Sequence, residues 1–485
     1  MKAGNARVGA AAEANDLAKL SAVDLLDGYR AGRFTPRDVL EEVIAALEIT
    51  QASCNPVVTP MYDEARAAAA AATAAWASGR PQGRLAGVPV TVKDLVYVAG
   101  VPALGGAPAN KAFVPSADAA VVTALKSAGA IVTCKTTTCE AGYKLTADSP
   151  VSGITRNPWD KSRTSGGSSG GAAAAVAAGC GPLAIGTDGV GSIRVPSSFC
   201  GVVGLKPTFG LVPRSPGFSP PSWASLAHTG PIARTVADTA LLLEVIAGHD
   251  SRDAASLPIA PRSFDVAPGK LDGLKIGTSV DLGFAAVEPD IRKAFLSASE
   301  VLAGLGADLI QGCVTLAPDV LDRILKPIAY TEQAAAVARR NSDALAVSDE
   351  DYRRVIASGG NYSGVEYVEA SFRRNALRSS FLELFQKVDA LVTPTVAVTA
   401  FRAGKLGVDQ VADTAVDRHL GWSPFSWPIN LTGLPAATVP CGFDGNGLPI
   451  GLQIIAPWLG EALILRIAAA FERARPWAQF RPNLS

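Results

Sequence analysis

Apolar positions recur at helical spacing through the first eighty residues. Leu40, Val43, Ile44 and Leu47 fall at i, i+3, i+4 and i+7 behind Thr35-Pro36, an N-cap and first-turn pair. Ser21 opens a shorter amphipathic helix that stops near Gly32, and the Ala-rich run 65–77 predicts a solvated helix ended by Gly79. The period then changes. Gly87-Val88-Pro89-Val90-Thr91-Val92-Lys93-Asp94 alternates valine with other residues, which predicts a strand with Lys93 at its end. A helix over 118–127, a strand over 130–133, a helix over 172–178 closed by Gly179 and a strand over 182–185 follow.

Residues 251–385 carry more charge and longer helical periods, as over 290–305 and 367–385. Strand character returns at 388–393, 436–439 and 450–455, with a turn at Asp444-Gly445-Asn446-Gly447. Strands alternating with helices predict an α/β layer architecture. No tandem repeat or Pro/Gly/Ser-rich linker divides the chain. The expectation is one large domain over 1–485: a helical segment 1–80, a core 81–250, a mainly helical insertion 251–385 and a C-terminal core segment 386–485.

Composition narrows the function classes. With 48% hydrophobic and 18% charged residues in 485, the chain buries a large core and is not a disordered one. Its 44 basic and 44 acidic residues balance, which removes the electrostatic footprint of a general nucleic-acid binder. Three His and seven Cys are too few for a His-rich metal site or a dense disulfide framework. Cys134 and Cys139 form a C-x4-C pair with no second pair to complete a zinc site, so no metal and no cofactor are expected. The run 1–16 is interrupted by Arg7 and Glu13 and resembles neither a signal peptide nor an anchor. The uncharged run 164–187 is made of Gly, Ser and Ala, which partition poorly into lipid, so no membrane span is expected. An odd number of cysteines without a secretory signal predicts the cytoplasm.

Candidate chemistry concentrates between Thr164 and Thr208. Gly166-Gly167-Ser168-Ser169-Gly170-Gly171 and Gly186-Thr187-Asp188-Gly189-Val190-Gly191-Ser192-Ile193-Arg194 place two serine-bearing glycine loops 24 residues apart, counted from Ser168 to Ser192. Glycine lets backbone N–H groups approach and converge on an oxygen, the arrangement that acyl transfer requires beside its nucleophile. A serine nucleophile also needs a base. None of His228, His249 and His419 adjoins a glycine loop in sequence. A buried lysine is the other option, at a cost of about 4–5 kcal/mol for moving its pKa from about 10.4 to about 7. Lys93 ends an apolar strand and is the leading candidate, with Lys135 and Lys206 as competitors.

These loops resemble those of the amidase signature family of serine hydrolases. The likeness extends to 85–94, to Asn157-Pro158-Trp159-Asp160, to Gly230-Pro231-Ile232-Ala233-Arg234-Thr235-Val236, and to the blocks beginning at Asn430 and Gly447. It spans about residues 20–470, with 251–385 the part least alike. The resemblance implies a three-layer α/β/α domain whose mixed central sheet is covered by helices on both faces. It further implies that Ser192 is the nucleophile and Lys93 the base. Ser168, after a cis peptide bond, would relay the proton between them. The N–H groups of Gly189, Val190, Gly191 and Ser192 would form the oxyanion hole, with Thr187, Asp188 and Arg194 supporting the loop. Val190 stands where the family usually has Gly or Ala, so the position is expected at negative φ, with a side chain that narrows the site. Tyr143, Trp223, Phe425 and Trp427 are candidate substrate contacts, with core packing as the competing explanation.

The leading expectation is an amidohydrolase acting with water on a small or medium amide, an aryl amide, an ester or a carbamate, as a monomer or homodimer. A second is the catalytic A-type subunit of a tRNA-dependent amidotransferase. That group carries an acidic residue just before the block matching Asn430, whereas Ser423-Pro424-Phe425-Ser426-Trp427 has no carboxylate. A third takes Gly166-Gly167-Ser168-Ser169-Gly170 as a G-x-S-x-G elbow, with Ser168 as nucleophile and one of the three histidines as base. A non-catalytic binding protein on the same fold is the remaining alternative, opposed by the joint presence of Lys93, Ser168 and Ser192.

Overall fold

Eleven strands pair into one mixed sheet. In chain order they are β1 (Val57–Pro60), β2 (Pro89–Lys93), β3 (Ile131–Thr136), β4 (Leu183–Asp188), β5 (Val203–Lys206) and β6 (His228–Ala233). Then come β7 (Lys275–Thr278), β8 (Asp308–Gln311), β9 (Ala390–Pro394), β10 (Ala436–Phe443) and β11 (Pro449–Ile455). The lateral order is β1-β3-β2-β4-β6-β5-β10-β11-β9-β7-β8. This computed structural model describes residues 17–218, 226–260, 263, 264, 266, 269–339 and 343–484.

β2 lies parallel to both its neighbours, β3 and β4, and all five of its residues are buried. A strand enclosed on both faces tolerates a largely apolar run, here Val90 and Val92 alternating with Pro89 and Thr91 up to Lys93. β4 then runs antiparallel to β6, and its last residue, Asp188, pairs with His228. The ends of β2 and β4 thus bring Lys93 and the second glycine loop to the same side of the sheet.

Helices cover both faces. On one lie α2 (Pro36–Cys54) with α3 (Tyr62–Ala77), α5 (Gly170–Ala178) and α6 (Arg194–Cys200). On the other lie α1 (Ala22–Arg30), α4 (Ala120–Ser127), α7 (Val236–Ile246), α8 (Pro289–Gly304) and α13 (Glu461–Ala474). Helix α2 starts as expected: Thr35 and Asp38 form a reciprocal capping box around Pro36, and Val39, Leu40, Val43, Ile44 and Leu47 are buried. Every residue of α5 is buried, and its glycines and alanines let it sit close to β4, β6 and α6. Three further helices, α9 (Lys326–Ala338), α10 (Glu350–Gly360) and α11 (Gly364–Leu384), pack on one another, and α11 also meets α12 (Trp427–Thr432).

The segment 251–385 is more than the helical insertion that its periodicity predicts. It supplies α8 and the last two strands at one end of the sheet, with β7 parallel to β9 and the edge strand β8 parallel to β7. Both strands are four residues long and begin at exposed residues, Lys275 and Asp308, so their alternation is too short to register in sequence. No helix among the described residues is long and apolar enough to cross a membrane.

Candidate active site

Lys93 is fully buried at the end of β2, and its amine sits among oxygens from both glycine loops. Its Nζ lies 2.7 Å from Ser168 Oγ, 2.9 Å from Ser169 Oγ and 2.8 Å from Thr187 Oγ1. Burial pushes the amine down to about 7, against smaller upward pulls from the Cys139 and Asp188 charges. A neutral amine has two N–H groups and one lone pair, so it can donate to two of these oxygens while accepting from a serine hydroxyl. The Gly167–Ser168 peptide is cis, and a side chain at Gly167 would strike the Thr146 backbone at 2.2 Å. Ser169 ties the loops together: its Oγ donates to the Thr187 carbonyl at 3.0 Å, and its N–H donates to the Ser192 carbonyl at 3.1 Å. Ser192 Oγ is buried and has no hydrogen-bond partner among the described residues, so its bonding capacity is unspent.

The second loop is shaped by a buried carboxylate. Asp188 Oδ1 accepts from the Gly191 N–H at 2.8 Å, from Arg194 Nη2 at 3.0 Å and from Asn430 Nδ2 at 2.9 Å. Its Oδ2 accepts from the Ile193 N–H at 3.1 Å and from Arg194 Nε at 3.0 Å. Burial pushes the Asp188 carboxyl up, but the Arg194 charge and hydrogen bonds outweigh it and hold the group ionised, well below the usual carboxylate range. Gly191 has φ +131°, and a Cβ there would meet Ser426 Oγ at 2.5 Å, so glycine is required. Its N–H, expected among the oxyanion donors, is engaged by Asp188 instead. The N–H groups of Gly189, Val190 and Ser192 carry no protein acceptor among the described residues. Val190 is not at positive φ, and it lines the cavity described next.

The loops open into a cavity of about 400 Å³, a size that takes a small to medium organic molecule. Ser168, Thr187, Gly189 and Val190 line its floor side, and Tyr330, Gln333, Ala336, Tyr352 and Tyr367 from α9, α10 and α11 line its roof. Tyr143 also lines it. Phe425 and Trp427 do not: both are fully packed in the core, where the Trp427 indole donates to the Leu420 carbonyl at 3.2 Å. Trp223 lies outside the described residues. The competing lysines are elsewhere. Lys135 pairs with Asp94 at 3.0 Å, and Lys206 Nζ donates to the carbonyls of Pro207 and Leu434. His228 Nδ1 faces the carbonyls of Leu226 and Asp188, His419 lies between Tyr330 and Tyr143, and His249 is exposed. None of the three donates to or accepts from Ser168, so the elbow arrangement lacks its base. All seven cysteines are free thiols, and the described residues include no cluster of three metal-ligating side chains.

The family model described as Amidase matches residues 38–465. This chain belongs to the amidase signature family. Within it, the chain is 37% identical to the A-type subunit of glutamyl-tRNA(Gln) amidotransferase from Synechococcus sp. (strain RCC307), across 94% of this chain and 98% of that one. It is 34% identical to an acylamidase of Rhodococcus erythropolis, across 96% and 97%. The crystal structure of a bacterial aryl acylamidase of the same family superposes with a TM-score of 0.87 at 30% identity, covering 95% of this chain and 97% of that one.

Several residues of this amidase signature site escape a sequence reading. Asn430 and Gln453 stand in blocks that carry the family resemblance, yet nothing local assigns them a contact. Asn430 Nδ2 reaches both the carboxylate and the carbonyl of Asp188, and Gln453 Oε1 accepts from Arg194 Nη1 at 2.7 Å. Ser426 Oγ donates to the Val190 carbonyl at 2.7 Å. All three are far from the glycine loops in sequence, so only the pairing of β5 with β10 and of β10 with β11 brings them in.

Proposed function

We propose that the chain is an amidohydrolase that cleaves the C–N bond of a small or medium amide through an acyl-enzyme on Ser192. Ser192 Oγ attacks the carbonyl carbon while its proton passes to Ser168 Oγ, whose own proton passes to Lys93 Nζ. The oxyanion that forms is met by the N–H groups of Gly189, Val190 and Ser192. As the C–N bond breaks, Lys93 returns a proton through Ser168 to the leaving amine, which departs neutral. Water then enters by the same relay, and the acid leaves. A hydroxyl that both donates and accepts is what this relay needs at position 168.

The observation that carries this reading is the Lys93 amine, enclosed at the end of β2 at 2.7 Å from Ser168 Oγ and pushed by burial to about 7. Such a group is half neutral near pH 7, where a lysine in water is almost wholly charged. The test is a hydrolysis screen over aliphatic amides, anilides, esters and carbamates with wild type and Ser192→Ala, with mass mapping of a fluorophosphonate adduct. The reading expects turnover of at least one amide, loss of it in the variant and a label on Ser192. Equal rates in the two proteins would sink it.

A second reading, the A-type subunit of a tRNA-dependent amidotransferase, is favoured by 37% identity along nearly the whole of such a protein. The same triad would then release the amide nitrogen of glutamine for use by partner proteins. Against it, residues 423–427 offer no carboxylate to receive the glutamine ammonium. Turnover of amides by the isolated chain, with glutamine a poor substrate, favours the hydrolase. Glutamine hydrolysis that rises on adding partner proteins favours the amidotransferase.

A further inference from the structure

One wall of the cavity is made of tyrosines, contributed by the 139–144 turn and by α9, α10 and α11, and each of their hydroxyls is already engaged. Tyr143 donates to Asp349 Oδ1 at 2.9 Å, and Tyr330 lies 2.7 Å from His419 Nδ1. Tyr352 donates to Gln333 Oε1 at 2.9 Å, and Tyr367 donates to Glu332 Oε1 at 3.1 Å. What the wall leaves for a ligand is a small area of ring, Tyr143, Tyr330 and Tyr352 being 6%, 8% and 2% exposed, beside the Gln333 amide, of which the Oε1 is engaged. The Tyr143 and Tyr352 rings sit 4.9 Å apart, tilted by 37°, and Phe218 lines the same cavity.

Two residues that do not line the cavity hold this wall from behind. His419 Nε2 lies 3.1 Å from the Tyr143 carbonyl oxygen, which can only accept, so Nε2 carries the proton and Nδ1 accepts from the Tyr330 hydroxyl. One neutral imidazole thus fixes the side chain of Tyr330 and the backbone of Tyr143. Asp349, the N-cap of α10, fixes the Tyr143 hydroxyl. It is itself held by Lys144 at 2.9 Å, and its N–H donates to Glu140 Oε2 at 2.9 Å. The Lys144–Asp349 and Glu140–Asp349 contacts tie the roof helix to the core turn that carries Tyr143, and Lys144 also pairs with Asp148 at 2.6 Å on the core side.

A chain bearing several polar groups would shed its water against this wall and meet only the Gln333 amide and hydroxyls whose protons are already given away. A flat apolar ring sheds little and gains edge and face contacts with the tyrosines. The charged residues of the cavity do not change this balance: Glu332 is engaged by Tyr367 with Arg214 and Arg374 close by, and Arg339 is exposed. The geometry points to an amide bearing an aromatic ring as the substrate class, with Asp349 and His419 as positioning residues that set the tyrosine wall for that ring. This rests on the amidohydrolase reading above.

The test measures kcat and KM for acetamide, cyclohexanecarboxamide, benzamide, acetanilide and glutamine in wild type, Asp349→Asn and His419→Gln. Wild type should prefer benzamide or acetanilide to cyclohexanecarboxamide and glutamine by about tenfold or more in kcat/KM. Each variant should raise KM for the preferred aromatic amide about fivefold or more while kcat stays within about twofold. Its KM for acetamide, too small to reach the wall, should move by less than about twofold. Preference for cyclohexanecarboxamide or glutamine would overturn the inference. So would variants in which kcat and KM shift alike for every amide, the mark of a merely structural role. If His419→Gln does not fold, Tyr143→Phe removes only one hydroxyl and should show the same KM rise for the aromatic amide. Fluorophosphonate labelling of wild-type Ser192 separates two kinds of failure. A labelled enzyme without aromatic preference overturns this inference alone, whereas an unlabelled protein inert toward every amide overturns the amidohydrolase reading with it.

Discussion

The two sides of the cavity are held in different ways. On the floor, the Asp188 carboxylate gathers donors from Gly191, Ile193, Arg194 and Asn430, and every one of these groups is buried. On the roof, α10 packs on α9, and α11 packs on both α9 and α12 while turning Val365 and Phe372 to solvent at 80% and 66% exposure. They join the main core through buried apolar side chains such as Ile328, Phe381 and Leu384, and polar links to the turn that carries Tyr143 run through Asp349, Lys144 and His419. The Asp188 network fixes the second loop while leaving Ser192 Oγ and the N–H groups of Gly189, Val190 and Ser192 without a partner among the described residues. Recognition of an apolar group needs shape and surface, which helices lying outside the sheet can supply.

The hardest blow to that comparison would come from the floor. Ser192→Ala is expected to lower turnover by on the order of 10⁴-fold or more while leaving the unfolding midpoint nearly unchanged, because the hydroxyl makes no hydrogen bond to lose. Steady-state rates alongside thermal melts check both halves. Lys93→Met should follow at about 10³-fold, and it should also change how stability depends on pH. The native amine titrates near 7 and an unfolded lysine near 10.4, so between those values the unfolded chain binds more protons and stability rises with pH. Urea unfolding at several pH values should lose that rise in the variant.

Arg194→Met leaves the Asp188 carboxylate buried without its main counter-charge, and a loss of about 3–5 kcal/mol in urea unfolding is expected. On the roof the effects should be smaller and of another kind. Ala336→Phe fills part of the cavity and is expected to lower kcat/KM for bulky amides about tenfold, with fluorophosphonate labelling of Ser192 changed much less. Val365→Ser on exposed α11 should stay within about 0.5 kcal/mol of wild type. A roof substitution that abolished labelling of Ser192 would erase the distinction between the two sides.

What the sequence discloses follows the same division. Lys93, Ser168 and Ser192 stand out as candidates in the sequence because each sits in a short local string, a strand containing alternating valines or a glycine loop, whose composition has few other uses. Asn430, Gln453 and Ser426 serve the same loop from more than 200 residues away, and no local pattern carries a contact made across a sheet. Phe425, Trp427 and Tyr143 look alike in sequence, as apolar aromatics near candidate loops. Burial sends the first two to the core and only Tyr143 to the cavity wall. The layers of the fold are visible from alternating periods, but β5 to β8 are short or interrupted by glycine and proline, and they emerge only from their pairing.

The claim beneath all of this is that Lys93 is an uncharged base acting on Ser192 through Ser168. Its most direct measurement is the rate at which a fluorophosphonate labels Ser192 as a function of pH, in wild type and in Lys93→Met. The wild-type rate should climb through a single midpoint near pH 7 and then level off, whereas the variant should react slowly and without that midpoint. A wild-type rate that stays flat from about pH 5 to about pH 9, or a variant that reproduces the wild-type curve, would contradict it.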